Sequence, residues 1–311
     1  MAKIPVGATI ARAYGFAFGD FLKILSITWL PWLALSLLSR PLLGSMATLF
    51  QNIAAGKFGN TGHLLALLVP LYLLGFYALF MQIAGITQQA LGLRTGSPYY
   101  YLTFGKPVWR LIGAFFLTIL IVIGLYVVVL LTGVVLGAAM TLLAKALNLE
   151  GGLKGALTLL TVAVFFAVYC AYIYILFRLT FLLNPIIIAE SRIDFRRSWS
   201  LGKGNFWRMF LILLAVIIPV MIVFVVAMHL WYGGFPPTLP LGASPDQIAA
   251  NRAATAAWMA AGMKRTLDYW YIAYPVSGLL TVLMYGLGCG AQSFAYRALV
   301  PEAPSAPVSS D

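Results

Sequence analysis

The chain has 311 residues and a mean hydropathy of +0.95, with 62% hydrophobic residues and only 9% charged ones. A water-facing surface takes roughly a quarter of charged residues, so the composition excludes an ordinary soluble domain and predicts an all-α, multi-pass membrane helical bundle. The net charge of +12 needs no nucleic-acid partner, because a basic face beside anionic lipid headgroups accounts for it.

In chain order, the first 20 residues lack a compact apolar core followed by a small-residue cleavage site, so no cleavable signal peptide is expected. Ile10, Tyr14, Phe18 and Phe21 recur at roughly helical spacing, which predicts a short helix lying in the interface plane. Apolar runs long enough for a hydrocarbon core of about 30 Å then place six spans near Leu22–Ser39, Leu64–Ile86, Leu111–Leu131, Ala156–Phe177, Met209–Trp231 and Tyr271–Ala291. Pro31 lies inside the first, and Arg40 would snorkel outward from its end. Apolar character beyond Leu131 to Leu143 predicts a long, tilted third helix. The fourth continues towards Ala189 past Asn184-Pro185, where a kink is expected.

Two short polar connections, 56–62 and 147–155, join the first two helix pairs, and a long outer connection covers 232–269. Within it Ser244-Pro245-Asp246 reads as N-cap, first-turn proline and first-turn acid, which predicts a helix up to about Lys264. Residues 1–300 form one membrane domain, and the Pro/Ser/Ala-rich tail 301–311 is expected to be disordered. Lys and Arg number 12 in the connections on one side and 7 on the other. That bias predicts cytoplasmic N- and C-termini.

A segment recurs at the start of each odd span: Phe18-Gly19-Asp20-Phe21-Leu22-Lys23, Phe104-Gly105-Lys106-Pro107-Val108-Trp109-Arg110, and Leu201-Gly202-Lys203-Gly204-Asn205-Phe206-Trp207-Arg208. Glycine supplies a turn or cap, while Trp109-Arg110 and Trp207-Arg208 are interfacial anchors. The predicted unit is interfacial helix, span, outer loop and returning span, used three times over about 1–92, 93–189 and 190–300.

Glu190-Ser191-Arg192 and the run from Arg197 to Arg208 resemble the membrane domain attached to some bacterial glycerophosphodiester phosphodiesterases, and related stand-alone inner-membrane proteins. The resemblance is clearest over 178–210 and implies a bacterial inner membrane and lipid-related work. It transfers no catalytic residue. The hydrolase domain of that name needs clustered His, Glu and Asp, whereas this chain has two histidines and eight acids, widely spread.

No acid lies deep in a span, no phosphate-binding loop is present, and no metal-ligand spacing or nucleophile–base pattern emerges. No cofactor and no enzymatic activity are therefore expected. Cys170 and Cys289 read as small apolar residues rather than a disulfide, and Gly286, Gly288, Gly290, Gly133 and Gly137 as close-packing positions.

Arg178, Asn184, Arg192, Arg196 and Arg197 form a candidate site for an anionic headgroup, because cations beside a span can hold lipid phosphates. Gln82, Thr87, Gln88 and Gln292 mark the inner halves of even spans, and would face one another if the repeats share an axis. The leading expectation is a non-enzymatic inner-membrane protein with an accessory lipid or envelope role; anionic membrane lipids are the expected partners, with a membrane-protein partner or a second copy of the chain left open. The alternative is a transporter or flippase-like carrier of a small amphipathic substrate.

Overall fold

The computed structural model describes residues 2–54, 62–148, 150–240 and 242–300, and all regular structure among them is α-helical. The helices are α1 (Val6–Gly19), α2 (Phe21–Ala54), α3 (Gly62–Ala90), α4 (Lys106–Ala146), α5 (Gly151–Thr180), α6 (Leu183–Glu190), α7 (Phe195–Leu201), α8 (Phe206–Tyr232), α9 (Pro245–Asp268) and α10 (Trp270–Leu299). Six helical stretches are long and apolar enough to cross a membrane: Phe21–Met46, Leu68–Ala90, Lys106–Ala146, Gly151–Glu190, Phe206–Tyr232 and Trp270–Leu299. The chain is an all-α polytopic helical bundle. The polar loop 56–62 falls almost wholly, and the tail 301–311 entirely, outside the described residues.

Boundaries differ from the sequence expectation where hydropathy is a poor guide. Helix α2 runs on to Ala54, and Arg40 is exposed, its guanidinium 4.5 Å from the centre of the Trp270 ring. At 41 residues, α4 is about 60 Å long, roughly twice the hydrocarbon thickness. The fourth span breaks one turn before Pro185: α5 ends at Thr180, Phe181 and Leu182 form a turn, and α6 begins at Leu183. Pro185 has no N–H to offer the Phe181 carbonyl, so the ladder is interrupted there.

The outer connection forms α9, which lies against α2. Ser244 caps it as expected, its hydroxyl accepting from Gln247 N while the Gln247 side chain accepts from Ser244 N, a reciprocal capping box.

The core sits at the basic end of the bundle. Its buried apolar side chains come from the start of α2, the end of α3, the start of α4, all of α6, the start of α8 and the end of α10. There α3, α6 and α10 touch one another pairwise. Around this triangle, α2 packs on α3 and α10, α4 on α3 and α6, and α8 on α10. The outer lengths of α4 and α5 leave the bundle as a hairpin with largely exposed apolar faces.

Each segment that introduces an odd span packs on the pair before it in a cyclic order. Helix α7 lies on α5 and α6, and α1 on α8 and α10. Between α3 and α4, the segment 93–105 lies on α2 and α3, with Trp29 Nε1 donating to Tyr99 O at 2.9 Å and Tyr77 OH to Thr103 O at 2.9 Å. In this second copy no helix forms, unlike the interfacial helix expected from the repeat. Pro98 and Gly96 interrupt any helical run there, Gly96 at φ 103°. The junction glycines do sit where the motif puts them: Gly19 ends α1, Gly105 is the N-cap of α4, and Gly202 is the C-cap of α7.

Helix α1 is not simply laid on a bilayer surface. Its small-residue face, Ala13 and Ala17 with Thr9 and Phe16, is buried. A side chain on Gly290 would come within 2.9 Å of Phe16 Cδ1, and one on Gly286 within 2.9 Å of Ile24 Cδ1 and 3.5 Å of Ala17 Cβ. As α1 advances from Ala13 to Ala17, its neighbour recedes from Gly290 to Gly286, so the two run antiparallel at close range. Gly288 meets nothing, as does Gly137, whereas Gly133 lies against Phe165.

Candidate functional site: the basic rim

The rim is built from helix ends and the segments that join them. Several of its arginines donate to backbone carbonyls there. Arg94 Nη1 donates to Lys23 O at 3.1 Å and its Nη2 to Ser97 O at 2.9 Å. Arg178 Nε donates to Trp199 O at 3.2 Å and Arg208 Nη1 to Ile4 O at 2.8 Å, while Arg297 donates to Leu91 O. A guanidinium is permanently charged and carries five donors, which suits it to tie one helix end to the next.

The five candidate headgroup residues fall into three places rather than one. Arg178 is the most enclosed, with 7% of its surface exposed. Its Nη1 donates to Tyr174 OH at 3.0 Å, and its guanidinium lies 3.9 Å from the centre of the Trp199 ring. Gly202 admits its stem, since a Cβ there would stand 3.0 Å from Arg178 Cγ. No carboxylate pairs with it among the described residues. Arg178 thus joins the end of α5 to α7 through neutral partners.

Asn184 belongs to the central triangle, its Nδ2 donating to Gln292 Oε1 at 3.2 Å. Arg192 and Arg197 converge on Glu190. Arg192 Nη2 reaches Oε2 at 2.8 Å, Arg197 Nε reaches Oε1 at 3.2 Å, and Tyr296 OH donates to Oε1 at 3.1 Å. Asp194 pairs with Arg192 at 3.4 Å and caps α7 by accepting from Arg197 N at 2.7 Å. Carboxylates therefore balance two of the three linker arginines, and Arg196 is left exposed with no ion pair among the described residues. From the sequence these cations read as available to a headgroup, although Glu190 stands only two residues from Arg192 and seven from Arg197.

The polar stripe of the even spans is brought together only in part. Gln82 and Thr87 are buried, and the Thr87 hydroxyl has no protein partner. Gln88 turns outward from the triangle, its Oε1 accepting from Tyr101 OH at 2.9 Å. Burial pushes the Tyr101 phenol up to about 12, with the Arg94 cation pulling the other way; the phenol stays a neutral donor at physiological pH. Five hollows among the described residues are lined by residues other than Arg178, Asn184, Gln88 and Gln292.

The anchors divide as well. Trp109 and Trp207 are exposed, Trp109 tilted against Tyr77 at 5.6 Å and Trp207 against Phe206 at 5.1 Å. Arg208 instead works with Asn205, whose Oδ1 accepts from Ile4 N at 3.0 Å and whose Nδ2 donates to Ala2 O at 3.1 Å. Together they clamp residues 2–4 onto the start of α8. Arg110 is half-buried and, like Lys3, Arg12, Lys106, Arg196 and Lys203, makes no ion pair among the described residues.

No protein-family model, no curated protein and no solved structure matches the chain.

Proposed function

We propose that this integral membrane protein is a non-enzymatic, lipid-associated component of a bacterial inner membrane, with its basic end and both termini cytoplasmic, and that the basic rim holds anionic headgroups. One observation carries the reading. Lys3, Arg12, Lys106, Arg110, Arg196 and Lys203 stand at one end of the bundle without a carboxylate among the described residues. Such an array offers each headgroup about 1 kcal/mol per cation near the surface. The resemblance of 190–208 to a membrane domain that accompanies phosphodiester hydrolases supports the lipid-related setting and nothing finer.

The test is co-purification from nanodiscs of mixed phosphatidylglycerol and phosphatidylcholine, with lipid mass spectrometry of what stays bound. The wild type is expected to enrich phosphatidylglycerol. Neutralising Lys106, Arg196 and Lys203 together to Gln should cut that enrichment by roughly 100-fold at low salt, at about 1 kcal/mol each. Equal retention of both lipids by the wild type would sink the reading.

A further inference from the structure

We infer that the rim contains one discrete phospholipid site, between α2, the segment 93–105 and α10, which takes the phosphodiester of a monoanionic glycerophospholipid at Arg94 and one of its acyl chains in a groove along α2. The inference rests on the headgroup reading above and gives it a location.

Two hollows meet there. The outer one, about 610 Å³, is lined by Lys23, Ser26, Pro98 and Tyr99, and the inner one, about 250 Å³, by Thr28, Trp32, Leu33, Pro275, Gly278 and Leu279. Leu25 and Trp29 line both. The walls are held in place: Trp29 Nε1 donates to Tyr99 O at 2.9 Å, and Gly278 lets Trp32 lie on α10 where a Cβ would come within 2.8 Å of the indole. From Leu22 to Leu33 the groove follows α2 for about 16 Å at 1.5 Å per residue, about half the hydrocarbon thickness. That is the depth of one leaflet.

The charge beside the outer hollow selects the headgroup, Arg94 standing behind Lys23 and Ser26 of its lining. Arg94 donates to Lys23 O, to Ser26 Oγ at 3.0 Å and to Ser97 O, and its Nε–H has no protein acceptor among the described residues. The local carboxylate, Asp20, is taken by Lys23 Nζ at 2.8 Å. Arg94, Lys23 and Asp20 together leave one net positive charge, which matches a single phosphodiester. A zwitterionic headgroup would bring a second cation to the guanidinium.

Native mass spectrometry of the full chain in detergent, offered phosphatidylglycerol or phosphatidylcholine, tests the site. The wild type is expected to keep one phosphatidylglycerol under activation that strips phosphatidylcholine. Arg94→Gln should lower this selectivity ~10-fold, the worth of about one charge-assisted hydrogen bond. Arg94→Lys should keep most of it, which also serves if Arg94→Gln does not fold. Leu279→Trp, which fills the groove wall, should reduce retention of both lipids. Selectivity that survives Arg94→Gln but disappears when Lys106, Arg196 and Lys203 are neutralised would overturn this site and leave the rim reading standing. Absence of selectivity in the wild type would overturn both. Displacement of the bound lipid by millimolar inorganic phosphate would overturn the lipid as ligand.

Discussion

Pro219 removes from α8 the backbone N–H that the Ala215 carbonyl would have used, and Tyr14, from α1, replaces it with a hydroxyl at 2.9 Å. Inside a membrane span an unpartnered carbonyl costs more than in water, because no solvent can reach it. Tyr14→Phe is expected to destabilise the protein by about 1–2 kcal/mol, read as a lowered thermal unfolding midpoint in detergent. Pro219→Ala restores the ladder donor, so the same tyrosine change made in that background should cost far less. A full cost in both backgrounds would show that the hydroxyl serves something else. In the sequence both residues are visible, but nothing in either one announces the contact between Tyr14 and Ala215, 201 positions apart. Arg178 shows the same limit: its rarity beside a span singled it out, and Tyr174 OH lies one turn before it on α5, whereas its partner Trp199 O depends on how α7 folds back.

At the scale of elements, α1 is the instructive case. Its aromatic positions predicted a helix facing lipid, yet the face that packs most tightly is the one with Ala13, Phe16 and Ala17. Amphipathic spacing identifies a helix, but small residues on a second face let its backbone approach another helix, and dispersion over that contact decides where it docks. Gly290→Leu places a side chain where Phe16 now lies. It should cost about 1–3 kcal/mol as overpacking and expose the first 20 residues to limited proteolysis while the six spans stay folded. Unchanged protection of that segment would count against the docking. The fourth span is the converse. Asn184-Pro185 did announce a break, and its position one turn earlier follows from the geometry of the missing donor.

For the whole molecule, the odd and even spans alternate in direction, so Ser244 before α9 and Ser200 in α7 lie at opposite ends of the bundle. With Cys170 and Cys289 replaced by Ala, Ser244→Cys and Ser200→Cys are expected to react with a membrane-impermeant thiol reagent from opposite sides. Labelling of both from the same side would break the six-span topology. The three pairs meet at the basic end, where α3, α6 and α10 form the centre and α1 closes the circle on α10. That closure joins the first helix to the last.

Composition and hydropathy determined the class, the number of spans, the capped outer helix and the basic end. These depend on local quantities: transfer of side chains into hydrocarbon, the reach of a cap, and charge near an interface. The tertiary structure alone decided which cations remain free. Backbone carbonyls of segments distant in sequence engage Arg178, Arg208 and Arg297, whereas Glu190 neutralises its near neighbours Arg192 and Arg197. For Arg178, Arg208 and Arg297 the acceptor lies 21, 204 and 206 positions away, and only packing brings it within the few ångströms over which a hydrogen bond acts.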